Sequence, residues 1–188
     1  MALVAYGAWQ WAFTRPLDPG PGIVAPTGPV QSLIHDAPAF AYHGYAIRPL
    51  ADFSVEARVL HVKSYNHGRE SDLSPVDFAV GWGPMSNQAV LDQIQIGQSN
   101  RFFYWQSDDM PLPRAQIEHN SANLHIIPAN QDIARSLRAV RPGHVVQLRG
   151  YLVRADNPDG WHWISSLTRT DVGAGACELV WVEELSMR

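Results

Sequence analysis

The sequence predicts a mainly β domain with two short helices (α+β), a small antiparallel β-barrel or sandwich. Apolar and polar residues alternate through 53–65 (FSVEARVLHVKSY), as in a half-buried strand. The turn tetrad Asn157, Pro158, Asp159, Gly160 separates two strand-like runs near the C-terminus. Helical spacing is confined to two short stretches, after Ser86 and after Asn130.

With 188 residues the chain can bury one core and is short for two full-sized domains. Its hydrophobic share of 46% is ordinary, and its charged share of 17% is low. A formal charge of -4 gives no cationic footprint for a polyanion, so no nucleic-acid partner is expected. Composition divides the chain into residues 1–15, 16–39 and 40–188.

Residues 1–13 (MALVAYGAWQWAF) contain Gln10 as their only strongly polar side chain. They are fewer than the roughly 20 apolar residues a spanning helix needs, and no Lys or Arg precedes them to make a signal-peptide n-region. Trp9 and Trp11 beside Arg15 match the interfacial end of a membrane helix, where aromatic rings and a cation meet the headgroups. Residues 1–15 are therefore read as the remnant of a longer anchor, with the domain extracytoplasmic, in the periplasm. A buried terminal segment and an atypical signal peptide are the alternatives. Residues 16–39 hold prolines at 16, 19, 21, 26, 29 and 38, whose fixed φ and missing N–H oppose helix and central strand. An extended spacer follows, with Tyr42 opening the folded part.

Within the domain, residues 53–65 form the first confident strand and 66–75 a polar loop. A second strand covers 76–82 and stops at Gly81-Trp82-Gly83-Pro84. Ser86 caps a short helix with Val90, Leu91 and Ile94 on one face. Residues 101–105 and 124–127 read as strands. Asn130 caps a helix through Val140 that ends at Arg141-Pro142-Gly143. Strands over 144–155, 161–167 and 177–185 complete the chain.

One helix followed by three strands, over residues 130–185, resembles the element order of an oligonucleotide/oligosaccharide-binding (OB) barrel; the likeness implies a fold and no activity. The plan of anchor, Pro-rich stem and Trp-rich β domain resembles uncharacterised exported, membrane-anchored bacterial proteins, which implies a membrane attachment through the N-terminal segment.

Chemistry has few candidates. Cys177 is the only cysteine, so no intrachain disulfide forms. A thiolate there, activated by His125 and oriented by Asp77 or Asp171, would make a small hydrolase; as a strand residue, Cys177 equally suits a core. Eight histidines raise a metal reading, but His61/His67 and His119/His125 lack the one-turn spacing of HExxH, so no metal and no cofactor are expected. Asp72, Asp77, Asp171 and Glu178 could supply an acid/base pair, although loop carboxylates ordinarily form turns or face water. The nucleophile elbow GxSxG is absent. Residues 171–176 (DVGAGA) resemble part of a phosphate loop but lead into a strand instead of the helix such a loop needs. Arg169, with Arg154 near, could meet an anion. Seven tryptophans offer another class of function, because Trp82, Trp105 and Trp161 lie in or beside strands where they could stack on flat ligands or fill a core. Trp161 and Trp163 share a strand face.

The expectation is a non-catalytic, membrane-anchored binding or interaction module with an unknown protein or small-molecule partner. A Cys177/His125 hydrolase and a structural subunit of an envelope complex are the alternatives.

Overall fold

The computed structural model describes residues 16–168 and 177–188. The expected anchor, residues 1–15, lies outside them, as do Arg169 and Asp171. No helix among the described residues is long and apolar enough to cross a membrane.

The chain is mainly β. Eight strands make one sheet: β1 (Val30–Leu33), β2 (Phe40–Tyr42), β3 (Tyr45–Ser64), β4 (Val76–Gly81), β7 (Ser121–Pro128), β8 (Val145–Asp156), β9 (His162–Ile164) and β10 (Glu178–Met187). Two more, β5 (Gln95–Ser99) and β6 (Phe102–Gln106), form a separate hairpin. Among the described residues four short helices intervene: α1 (Arg69–Leu73), α2 (Gln88–Leu91), α3 (Arg114–His119) and α4 (Gln131–Leu137). A 3-10 turn spans Gly83–Ser86.

Pairing runs β3-β4-β7-β10-β8, and β8 pairs again with β3, while β1, β2 and β9 extend the sheet outside this circuit. Twenty-residue β3 serves both neighbours, holding β8 along Ala46 to Arg58 and β4 along Arg58 to Ser64. The sheet is not purely antiparallel, because β10 inserts between β8 and β7 and runs parallel to β7. α4 lies on the connection that carries the chain away from β7, and its terminus is as the sequence predicts: Asn130 Oδ1 accepts from the N–H of Asp132 and Ile133.

Two irregularities in β3 decide which residues face the core. Phe53, Val55, Ala57 and Val59 point inward with Phe78, Leu124, Leu148, Leu152 and Val180. Ile47, of the same odd parity, belongs instead to a second cluster with Tyr45, Leu179, Trp181 and Trp163. The register slips between Pro49 and Ala51, where proline has no N–H for the ladder, and one extra residue exchanges the faces. A second slip between Val59 and His61 turns His61 outward. A third cluster, around Met85, Ile94 and Ile117, packs with Leu60, Ile96 and Trp105. Ile133, Leu137 and Val140, at and beyond α4, join the central core.

Several segments differ from the sequence reading. The expected spacer is docked: Leu17 N–H donates to the Pro142 carbonyl, Ala25 is fully buried, and β1 pairs with β3 ahead of Tyr42. Gly143, with φ at +97°, lets Leu17 pass, since a Cβ there would lie 1.9 Å from the Leu17 carbonyl oxygen. Ser86 is not the helix cap; Asn87 caps α2, and Ser86 Oγ accepts from the N–H of Val24 and Ala25. The 66–75 loop carries α1, and the run at 161–167 is strand only over β9.

Candidate functional site

On the outer face of β4 and β7, between the second and third apolar clusters, lies a polar strip. Asp77 and His125 are direct cross-strand partners, with Asp77 fully buried and His125 2% exposed. Their Oδ2 and Nδ1 atoms are 3.0 Å apart, but the approach is off the N–H direction and neither atom has an aligned hydrogen bond. The contact places the imidazole against the carboxylate without an aligned hydrogen bond. Ser74 Oγ lies 3.3 Å from Asp77 Oδ1.

Arg101 supplies the cation, from the tip of the β5–β6 hairpin. Ser99 pairs with Phe102, leaving Asn100 and Arg101 as a two-residue connection with φ of 51° and 68°. Positive φ at both positions is the geometry that matches strand twist in a short hairpin. Asparagine tolerates it; at the second position glycine is the usual residue. Arg101 is held there by its contacts. Its Nη1 donates to Asp77 Oδ1 at 2.7 Å, and its guanidinium stacks 3.8 Å from the Tyr65 ring centroid. Its backbone N–H donates to Tyr65 Oη at 3.1 Å, and its carbonyl accepts from Asn123 Nδ2 at 3.0 Å. Burial raises the Tyr65 phenol above its ordinary pKa, keeping the hydroxyl protonated.

Cys177 belongs to the same network. Its Sγ lies 3.8 Å from the Arg101 carbonyl oxygen and 3.8 Å from Asn123 Nδ2, and no hydrogen bond joins it to His125. Burial pushes the thiol up to about 11; the Asn123 contact opposes the shift, and the nearby charges of Glu178 and Asp77 add to it. At neutral pH the sulfur is a protonated donor, where nucleophilic chemistry would need a thiolate.

A cavity of about 710 Å³ opens over this strip. Arg101, Phe102, His125, Trp163, Ser166 and Cys177 border it, and Glu70 of α1 and His162 of β9 also line it. Trp163 leans on His125 with ring centroids 4.8 Å apart. The fold thus brings His125 and Cys177 to one cavity, with Asp77 behind His125. It does not bring the three other described tryptophan candidates into that lining. Trp82 is 5% exposed in the central core, Trp105 packs in the third cluster, and Trp161 stands edge-on to Tyr45 at 5.6 Å.

Arg101, Tyr65, Asn123 and Phe102 are residues that sequence reasoning missed. Asn123 could have been placed from its spacing, two positions before His125 on one strand face. Arg101 had a weaker signal, Asn100-Arg101 between two strand-like runs. Among the described residues no three His, Cys, Asp or Glu side chains are grouped to hold a metal ion. No family model, curated protein or solved structure matches this chain.

Proposed function

We propose that the domain is a non-catalytic binding module, held at the extracytoplasmic face of a membrane by residues 1–15, whose ligand occupies the cavity beside His125 and Trp163. The carrying observation is that cavity: its volume of about 710 Å³ is that of a small-molecule site, and an indole, a phenyl ring and a few polar groups converge on it.

An OB-like barrel is the finer reading of the fold. It is supported by the pairing circuit β3-β4-β7-β10-β8-β3 and by α4 between the third and fourth of these strands in chain order. OB barrels bind ligands on the face of their second and third strands, between the loop joining strands one and two and that joining strands four and five. β4 and β7 hold those places here, and Glu70 and His162 come from those loops.

The experiment is a Trp-fluorescence and thermal-shift screen of the full chain against sugars, nucleosides, amino acids and organic acids. A saturable response abolished by Trp163→Phe supports the reading; no saturable response from any of them refutes it. The Asp77–His125 pairing favours a second reading, a hydrolase using His125 as base with Cys177 as nucleophile. The raised thiol weighs against it. Turnover of ester or amide probes lost in Cys177→Ser would establish it.

A further inference from the structure

The outer face of the β5–β6 hairpin carries a feature that the cavity alone does not use. Along β6, Phe102 and Tyr104 point away from the protein and are 44% and 56% exposed, while Trp105 on the opposite face packs inward with Ile96. Phe102 and Tyr104 stand two residues apart on one strand face, about 7 Å by strand rise. Tyr104 has a built seat. Its cross-strand partner is Gly97, and a Cβ on Gly97 would lie 2.5 Å from the Tyr104 ring, so the ring lies across backbone that any larger residue would block. Next along the face, Gln106 Nε2 donates to Gln95 Oε1 at 2.6 Å.

Every side chain that this register places on the face, Gln95, Ser99, Phe102, Tyr104 and Gln106, is uncharged. A polyanion finds no cation among them, in a chain of net charge -4. Rings without charge, flanked by amides and a hydroxyl, complement a neutral ligand that has apolar C–H faces and hydroxyl edges. Phe102 also borders the cavity, so the platform and the cavity form one continuous surface.

We propose that this surface binds a neutral oligosaccharide chain, one sugar in the cavity against Trp163 and the following sugars stacked on Phe102 and then Tyr104. The proposal rests on the cavity reading and adds the ligand class and the path of the chain. A chain of several units should bind more tightly than a short one, and Tyr104 should matter only to the long one.

The test is calorimetric titration of the full chain with neutral disaccharides and hexasaccharides of glucose, mannose, xylose and N-acetylglucosamine. At least one hexasaccharide should bind about tenfold or more tightly than its disaccharide. Tyr104→Ala should weaken the hexasaccharide about 3- to 10-fold and leave the disaccharide unchanged, Tyr104→Phe should retain binding, and Phe102→Ala should weaken both. Both rings are exposed, so unchanged circular dichroism and melting temperature will show that the alanine variants remain folded. Equal affinity for long and short chains, or no effect of Tyr104→Ala, overturns the proposal while a Trp163-dependent disaccharide response leaves the cavity reading standing. No binding of any of these sugars overturns it too, the cavity reading then being judged by the wider screen. Binding of an extended peptide that depends on Phe102 and Tyr104, without sugar binding, would assign the surface to protein recognition and overturn the proposal.

Discussion

Replacing Asp77 or Arg101 should show how firmly the hairpin tip is fastened to the eight-stranded sheet. Asp77 is fully buried, the Arg101 side chain is 16% exposed, and their contact is 2.7 Å. Breaking a buried pair by removing one partner leaves an uncompensated charge and costs about 3–5 kcal/mol; residual exposure of Arg101 puts the expectation near the low end, about 3. Replacing both partners with leucine removes the charge as well as the bond, so the double variant should lose less than the sum of the singles, with a coupling of about 2 kcal/mol. Backbone strain adds a second, oppositely signed effect. At φ of 68° a side chain costs about 1 kcal/mol relative to glycine, so Arg101→Gly should be less destabilising than Arg101→Ala by about that amount. Urea unfolding followed by tryptophan fluorescence measures all these variants. Coupling below about 0.5 kcal/mol, or Arg101→Gly no more stable than Arg101→Ala, would refute the view that the ion pair holds a strained hairpin tip.

Other predictions concern the thiol, the docked stem and the core. With its pKa raised to about 11, Cys177 should react with iodoacetamide at pH 8 about a hundredfold more slowly than a thiol of pKa 9, as a rate measurement on the native protein will show. The same shift makes folding favour the protonated thiol, so the contribution of Cys177 to stability should be constant below pH 9 and fall between about pH 9 and 11, by roughly 2–3 kcal/mol at most; Cys177→Ala should remove that part of the profile. Gly143→Ala should destabilise by more than about 1 kcal/mol and expose residues 16–25 to limited proteolysis, because its Cβ would collide with the Leu17 carbonyl at positive φ. Phe78→Ala, in the central core, should cost about 3–5 kcal/mol in urea unfolding, whereas Val30→Ala, at an exposed strand edge, should stay within about 0.5.

Much of the β-rich plan is legible in the sequence because alternation and turn chemistry are local signals. The Asn157–Gly160 turn, the Asn130 cap and the strand through residues 53–65 are examples. What is not local is also what builds the site. The slip beside Pro49 exchanges inside for outside along one strand, so Ile47 and Phe53 share a parity and yet face different clusters. His125, Cys177 and Asp77 are visible as reactive types, but their grouping depends on the β4–β7 register and on β10 running beside β7. Arg101 is hidden because a left-handed arginine contradicts its own local preference; its tertiary contacts to the buried Asp77 carboxylate, Tyr65 and Asn123 hold it there. The sequence leaves the tryptophans as ligand platforms or core; Trp82 and Trp105 are drawn into apolar clusters, and among the described residues the exposed Phe and Tyr rings are Phe102 and Tyr104.

The cavity between the β5–β6 tip and β9 is the proposed ligand site. Mapping a bound ligand from the screen by backbone and indole NMR shifts tests it most directly. The largest shifts should fall at the Trp163 indole and the backbone of residues 100–104 and 162–168. Shifts concentrated instead around the groove formed by Val62, Val76 and Leu137, with Trp163 unmoved, would contradict it.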